Sequence, residues 1–306
     1  MDLIMRPISG RDELDLFCRL TYTLDHELAD DLDAGRRLPE WMWVALRGDH
    51  LVARVAWWGD PDPELLDIFD IESGAVDDGV ALLEAAFAAV VPAGGTPPEY
   101  LRFVPPDWRE QPESRRVVEE RLAAIERLGA RPLVERLRLE WRPGTPIAEP
   151  SGRLLFRQPH GRDEMIELMT RVLDGTLDAH SRDDLTRMTP TEAAAAHFDR
   201  ELAIYISPRD WWRVATLPDG EPVGFVTPGR NPYNPVIGYV AVLPEHRGKG
   251  YVDEILAEGT RVLAAEGVPR VRAATDMGNT PMAAAFARAG YVTFEKSVNW
   301  SWDQAR

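Results

Sequence analysis

The sequence predicts a mixed α/β protein made of two copies of one plan, each a mixed, largely antiparallel sheet flanked by helices. Three observations carry that expectation. An apolar run, a short basic glycine-bearing loop and an amphipathic segment follow one another between Val236 and Glu266. Similar segments recur at a fixed offset on either side of a stretch rich in Pro and Gly. The chain has 306 residues, long for one domain and comfortable for two of ~150.

In the first half, Trp43 to Gly59 reads as a hairpin turning at Gly48-Asp49. The strand Leu65 to Ile71 follows, then a glycine-bearing acidic turn, Glu72 to Gly79, and an almost wholly apolar helix from Val80 to Val91. Leu128 to Trp141 is a helix stop at glycine followed by an alternating strand that ends in Trp. The segment Arg142 to Gly152 carries three prolines and two glycines and is expected to be a linker. The expected domains are therefore residues 1–141 and 153–306, joined by 142–152.

The second half repeats the plan. A hairpin spans Arg213 to Gly229 with its turn at Asp219-Gly220, and the strand Val236 to Leu243 leads into Pro244-Glu-His-Arg-Gly-Lys-Gly250. The helix from Tyr251 has apolar residues at Val252, Ile255, Leu256, Val262 and Leu263, the spacing of one buried face. A short strand, Val271 to Thr275, a helical segment to Gly290-Tyr291 and a last strand, Val292 to Trp300, complete it. Strand, tight loop and helix together expose unpaired N–H groups at a helix start, where an anion such as a pyrophosphate binds. Gly248 and Gly250 let the chain bend sharply there and approach the anion closely, and Arg247 and Lys249 add positive charge. Neither Gly-x-Gly-x-x-Gly nor Gly-x4-Gly-Lys-Ser/Thr occurs, so this is neither of those nucleotide-binding fingerprints.

Composition narrows the function classes. Fifty-one acidic residues against 35 Lys and Arg leave a net charge of −16, which speaks against phosphate-backbone binding to nucleic acid and suits a cationic or amine-bearing small substrate. Two lysines occur in the whole chain, Lys249 and Lys296, and one of them falls in the loop. One cysteine, Cys18, rules out an intramolecular disulfide or thiolate metal cluster. No apolar run approaches the ~18 residues needed to span a bilayer, and the N-terminus lacks a signal-peptide pattern, so a soluble cytoplasmic protein without metal or membrane partner is expected. The six histidines are scattered and read as surface or packing residues.

Pro-Glu-x-Arg-Gly-x-Gly, a helix, a strand and then Asn279-x-Pro-x-x-x-x-Phe286-x-x-x-Gly290-Tyr291 resemble the GNAT acyltransferase superfamily over residues ~152–306. The echo extends the resemblance to a tandem arrangement, similar to the layout of mycothiol synthase. The first copy is expected to be degenerate, because Asp77 and Asp78 stand where the phosphate loop would be. The resemblance implies an acyl-CoA cosubstrate, acetyl-CoA by family frequency. Its pantetheine arm would meet the backbone of Val240, Ala241 and Val242, and its pyrophosphate the amides of Arg247, Gly248, Lys249, Gly250, Tyr251 and Val252. The Val240 N–H, or a neighbour's, would serve the thioester oxygen. Asn279 matches the family asparagine that contacts the cofactor arm, and it also reads as a helix N-cap before Pro281.

The departures are as informative. Glu245 replaces the usual Gln or Arg, Val252 a small residue, and Phe286 the Tyr whose hydroxyl protonates the leaving thiolate, although its ring is still expected against the cofactor arm. The strand Val236 to Leu243 carries no acidic residue to act as base. Tyr239, Asp276 and the set Asp174, Asp178, His180, Asp183 and Asp184 are the catalytic candidates, with a base acting through water a further option. The expected function is transfer of an acetyl group from acetyl-CoA to the amine of a small molecule. The rivals are a non-catalytic acyl-CoA sensor and an aminoacyl-tRNA-dependent transferase, and the acceptor and the oligomeric state stay open.

Overall fold

The computed structural model describes residues 2–302. In chain order the elements are β1 (Leu3–Pro7), α1 (Leu14–Phe17), α2 (Leu28–Asp33), β2 (Met42–Arg47), β3 (His50–Gly59), β4 (Pro63–Ile71), α3 (Val76–Val90), β5 (Glu99–Val104), α4 (Pro112–Arg127) and β6 (Arg131–Trp141). They continue with β7 (Leu155–Arg157), α5 (Arg162–Val172), α6 (Ala179–Asp184), α7 (Pro190–Ala196), β8 (Arg213–Thr216), β9 (Pro222–Arg230), β10 (Pro235–Val242), α8 (Tyr251–Ala265), β11 (Val271–Asp276), α9 (Thr280–Arg288) and β12 (Val292–Ser301). The hairpins turn at Gly48-Asp49 and at Asp219-Gly220, as the sequence predicts.

The chain divides into two units, residues 1–134 with 296–306, and residues 135–295. This differs from the expected halves in a specific way: the last strands are exchanged. From Arg136 to Trp141, β6 pairs antiparallel with β11, and Leu139 and Trp141 are buried in the core of the second unit. From Lys296 to Trp300, β12 pairs antiparallel with β5, and Trp300 and Trp302 pack on the core of the first. Segment 142–152 has no regular structure but lies within the second unit, so the expected linker is not the boundary. The two strands look alike in sequence because both alternate and end in Trp, so no local signal tells which sheet each one joins.

In the first unit the strand order is β1-β2-β3-β4-β5 with the end of β12. All pairs are antiparallel except β4 with β5. Leu82, Leu83 and Ala86 of α3 pack with Ala124 and Ile125 of α4 and with Val55, Trp57 and Phe69. Phe17 and Leu28, from α1 and α2, pack with Met42, Val44 and Ile68. The second unit repeats this order as β7-β8-β9-β10-β11 with β6, again with one parallel pair, β10 with β11. Ile237 and Val240 of β10 pack with α8 residues Ile255, Leu256 and Leu263. Ala241, with Phe225 of β9, packs with the α5 and α7 residues Met169, Val172 and Ala194.

Candidate functional site

Parallel strands β10 and β11 meet at Val236↔Arg272, near their start, and no further pair joins them among the described residues. Past that pair the two strands part toward their C-terminal ends, and the place where they part is the candidate cleft. A register shift lies in β10 between Ile237 and Val240. An extra residue at such a bulge bends the strand and re-aims its side chains. Here Ile237 and Val240 join the core under α8, whereas Tyr239 packs on the opposite cluster against Phe225, their rings 5.1 Å apart. A Cβ on Gly238 would overlap the Tyr205 phenol, and a Cβ on Gly229 would also press on that ring. The Tyr205 ring therefore fills the space that side chains at Gly229 and Gly238 would take.

The loop after β10 matches the anion-site expectation in its backbone. Gly248 and Gly250 have φ of 77° and 76°, the left-handed region that favours glycine, and space around both is open to 4 Å. Gly250 is the N-cap residue of α8, so the first-turn amides of that helix, Tyr251 and Val252 included, start at the loop. The helix dipole adds a partial positive charge at the same end. Two acidic side chains in that turn are already engaged, Asp253 by Arg288 at 2.7 Å and Glu254 by Arg153 Nε at 2.8 Å.

Arg247 keeps its charge at the loop, but its side chain is anchored by backbone carbonyls. Its Nη1 donates to Asp174 O at 2.7 Å, Nη2 to Val172 O at 2.8 Å, and Nε to Val242 O at 3.2 Å. The guanidinium thus ties the end of α5 to the end of β10, and the carbonyl of Val242 is taken. Lys249 is exposed and adds a second, unanchored positive charge at the loop. Arg153, which sequence reasoning passed over, lies beside it: Nη1 donates to Lys249 O at 3.3 Å, and the guanidinium is 5.1 Å from the Tyr251 ring centre.

Asn279 caps α9, its Oδ1 accepting from Met282 N at 3.3 Å, which bears out the capping role. Phe286 needs correction. Its ring is 1% exposed and sits in the core, edge-on to Tyr291 at 5.1 Å, rather than on an open cleft wall where a cofactor arm would touch it. An amphipathic nine-residue helix has little apolar surface besides this ring, and the core takes it.

At the open end of the cleft, Asp276 Oδ2 accepts from Ala179 N at 2.7 Å and Oδ1 lies 3.1 Å from Arg136 Nε. Burial and the neighbouring Asp178 raise its pKa, yet the carboxyl is 3% exposed and serves to fasten the start of α6. Asp178 is the N-cap of α6, accepting from Ser181 N at 2.8 Å; burial opposes its charge, but that bond and Arg136 hold its pKa below the usual value. Burial, with Asp178 and Glu201 nearby, pushes the Tyr239 phenol far above its ordinary range. It stays protonated at neutral pH and is a donor, not a base. Asp183 and Asp184 both pair with Arg187 on the surface. Sequence reasoning also missed His197, which pairs with Glu201 through Nδ1 at 3.1 Å beside Tyr239; the His-x-x-x-Glu spacing was its one signal.

The corresponding cleft of the first unit is occupied by the protein itself. Parallel β4 and β5 pair at Leu65↔Glu99 and Leu66↔Tyr100 and then diverge. Beyond that point Phe69 O accepts from Arg102 Nη1 at 3.2 Å and Ile71 O from Arg121 Nη2 at 3.1 Å. Phe103 N donates to the Tyr22 hydroxyl at 2.6 Å. Buried Asp70 is the shared counter-charge of this wedge, with Arg54, Arg102 and Arg121 at 2.9, 3.0 and 3.1 Å, and Asp25 adds a second carboxylate 2.8 Å from Arg54. Asp77 and Asp78, at the start of α3, pair with Arg127 and Arg47.

Residues 179–291 match the model of the acetyltransferase (GNAT) family. Among solved structures, a GCN5-related N-acetyltransferase from Sphaerobacter thermophilus superposes with a TM-score of 0.65 at 16% identity, covering 99% of this chain and 96% of that one. A tandem GNAT protein from the clavulanic acid biosynthesis pathway gives 0.52 at 18% identity over 100% and 99% of the two chains. A GCN5-related N-acetyltransferase from Kribbella flavida gives 0.52 at 14% over 92% and 94%. No protein of curated function matches the chain by sequence. At these identities the likeness is one of fold, the tandem GNAT fold, and the family-model match lies within its second unit. Among the described residues, no helix is long and apolar enough to cross a membrane.

Proposed function

We propose that this protein is an acyl-CoA-dependent N-acyltransferase that moves an acetyl group from acetyl-CoA to the amine of a small molecule, using the cleft of the second unit. One observation carries the reading: β10 and β11 part after a single pair, and the parted strand runs into the left-handed Gly248/Gly250 loop at the head of α8. A parted strand edge offers backbone groups to an extended arm, and the loop offers amides to a pyrophosphate. The residues fit the cosubstrate through Val240 and Ala241 on the strand, and through the backbone from Gly248 to Val252 with Lys249 at the loop. Val242 contributes through its N–H, since its carbonyl is bound to Arg247.

The chemistry asked of the chain is modest. Its backbone donors near the β10 bulge meet the charge that develops on the thioester oxygen, where fixed dipoles act most strongly. The acidic surface, −16 overall, draws a protonated amine. No phenol stands at position 286, so the thiolate takes its proton from solvent or from another donor. Tyr205 and Tyr239, both held protonated by burial, stand at the bulge. A cytoplasmic setting fits the single cysteine, Cys18.

The buried Phe286 and the lack of an acidic residue on β10 favour one second reading, an acyl-CoA sensor without turnover. Calorimetry with CoA, joined to thiol release from acetyl-CoA across a panel of diamines, amino acids and amino sugars, separates the two. One CoA per chain with amine-dependent thiol release is expected. Binding without release under every amine supports the sensor, and absence of CoA binding refutes both.

A further inference from the structure

Residues His197–Glu201 form one π-helical turn directly after α7, closed by Leu202 N donating to His197 O at 3.1 Å. Such turns interrupt a helix at a cost in packing and are frequent at functional sites. This one changes what a His-x-x-x-Glu pair does. Glu201 Oε1 lies 3.1 Å from His197 Nδ1 and fixes the ring, while the imidazole lies against Tyr239 with centroids 5.0 Å apart at 57°. Nε2, on the opposite side of the ring from Nδ1, is buried and has no hydrogen-bond partner. Glu201 is exposed and the pair has i,i+4 spacing, yet on the histidine side Nε2 is buried and the ring lies against a residue of β10 next to its bulge.

We propose that His197 is the general base of this site, oriented by Glu201 so that Nε2 carries the lone pair beside Tyr239 of β10. This rests on the acyltransferase reading above. A carboxylate that accepts the Nδ1 proton fixes the tautomer and leaves Nε2 as the basic nitrogen, the arrangement by which a third group orients a base. The proposal also explains how β10 manages without an acidic residue: the base arrives from the helix layer instead of the strand.

The other charged and titratable groups around the dyad come from every neighbouring element. Glu201 lies on its own turn and Tyr239 on β10, where Asp178 and Glu201 both act on the phenol. His180 from α6 and Arg136 from β6 act on Glu201, and Asp276 at the end of β11 faces Asp178 and Arg136. Tyr205 follows the turn and feels Glu201. The set has more acid than base, which suits an acceptor arriving as an ammonium ion. Acyl transfer sheds two protons from that ion. One goes to His197 Nε2 and on to solvent, and the other ends on the sulfur of CoA. The new bond is C–N and the broken one is C–S.

The test uses the full chain and the panel amine that gives the fastest thiol release with acetyl-CoA. His197→Ala and the bulkier His197→Gln should each lower kcat/KM at pH 7 by about 100-fold or more, the range of general-base catalysis. CoA affinity by calorimetry should stay within about twofold. Added imidazole should restore rate to His197→Ala in a concentration-dependent way, and Glu201→Gln should lose about tenfold without imidazole rescue. Wild-type rates in both His197 variants, or reduced rates that imidazole does not raise, overturn the assignment while leaving the acyltransferase reading in place. Loss of CoA binding in both variants makes His197 a structural residue and also overturns it. No thiol release from the wild type with any amine refutes the acyltransferase reading itself, and the base with it.

Discussion

The two units share strand order, a single parallel pair and a cleft where that pair diverges, yet they treat the cleft in opposite ways. Between β4 and β5 the freed backbone groups are claimed by side chains: Arg102 on Phe69 O, Arg121 on Ile71 O, and Tyr22 on the N–H of Phe103. Three arginines cannot be buried without counter-charge, and Asp70 at the centre, with Asp25 on Arg54, supplies part of it. Between β10 and β11 the glycine loop is open and its amides lead a helix. The comparison shows two ways in which one sheet plan treats the backbone groups that a parted strand pair frees. A parted strand pair leaves polar groups that need partners, and a wedge of the chain's own side chains satisfies them as well as a bound arm does.

The largest expected effect tests the filled cleft. Asp70→Ala leaves Arg54, Arg102 and Arg121 buried around a missing charge and should destabilise the first unit by about 3–5 kcal/mol, read as a loss of stability in urea unfolding. CoA binding by the second unit should persist wherever the protein is folded. A loss under about 1 kcal/mol would show that the three arginines do not depend on Asp70 for their counter-charge. The same carboxylate sets an acid limit. Burial alone would raise its pKa, but the three arginines lower it below the ordinary value. A depressed folded-state pKa means the unfolded chain binds the proton more tightly. The stabilisation is therefore complete above the unfolded value of about 4 and is lost as pH falls through the folded one. Wild-type stability should drop in that window, and Asp70→Ala should show a shallower drop.

Next in size is the open cleft. Gly250→Asp forces a side chain into φ 76° and sets a carboxylate at the head of α8, so CoA binding by calorimetry should fall by more than about 100-fold. Lys249→Ala removes one exposed charge and should weaken binding only several-fold, less so at high salt. Equal losses in the two variants would mean that side-chain charge, not the backbone cradle, holds the ligand.

The smallest effect concerns Phe286. Phe286→Tyr places a hydroxyl in the core beside Tyr291 and should lower stability by about 1–3 kcal/mol while CoA affinity changes by less than threefold. Affinity that changes more than stability would return the ring to the cleft wall.

Much of this was legible in the residues. Apolar periodicity from Val252 to Leu263 marked α8 within a residue of its ends, and the two hairpin turns stand where their Gly-Asp and Asp-Gly pairs put them. Gly248 and Gly250 announced a sharp bend, and both take a left-handed backbone that a side chain would strain. Asn279 announced a helix start for the same local reason, a side-chain oxygen within reach of its own helix amides. The sequence determined these because each depends on residues within a turn or two of itself.

Only the tertiary structure decided the rest. Arg247 reads as a loop cation, but carbonyls of Val172 and Asp174, more than seventy residues away, claim its guanidinium. Phe286 reads as a ligand contact until the core closes over it, and Asp70 is one acid among fifty-one until Arg54, Arg102 and Arg121 converge on it. The exchange of β6 and β12 is the clearest case. Both strands satisfy the same alternation, so the choice of sheet rests on which edge offers unpaired backbone and which core accepts Trp141 or Trp300. Partners distant in sequence leave no local trace, and what a side chain touches decides what it can do.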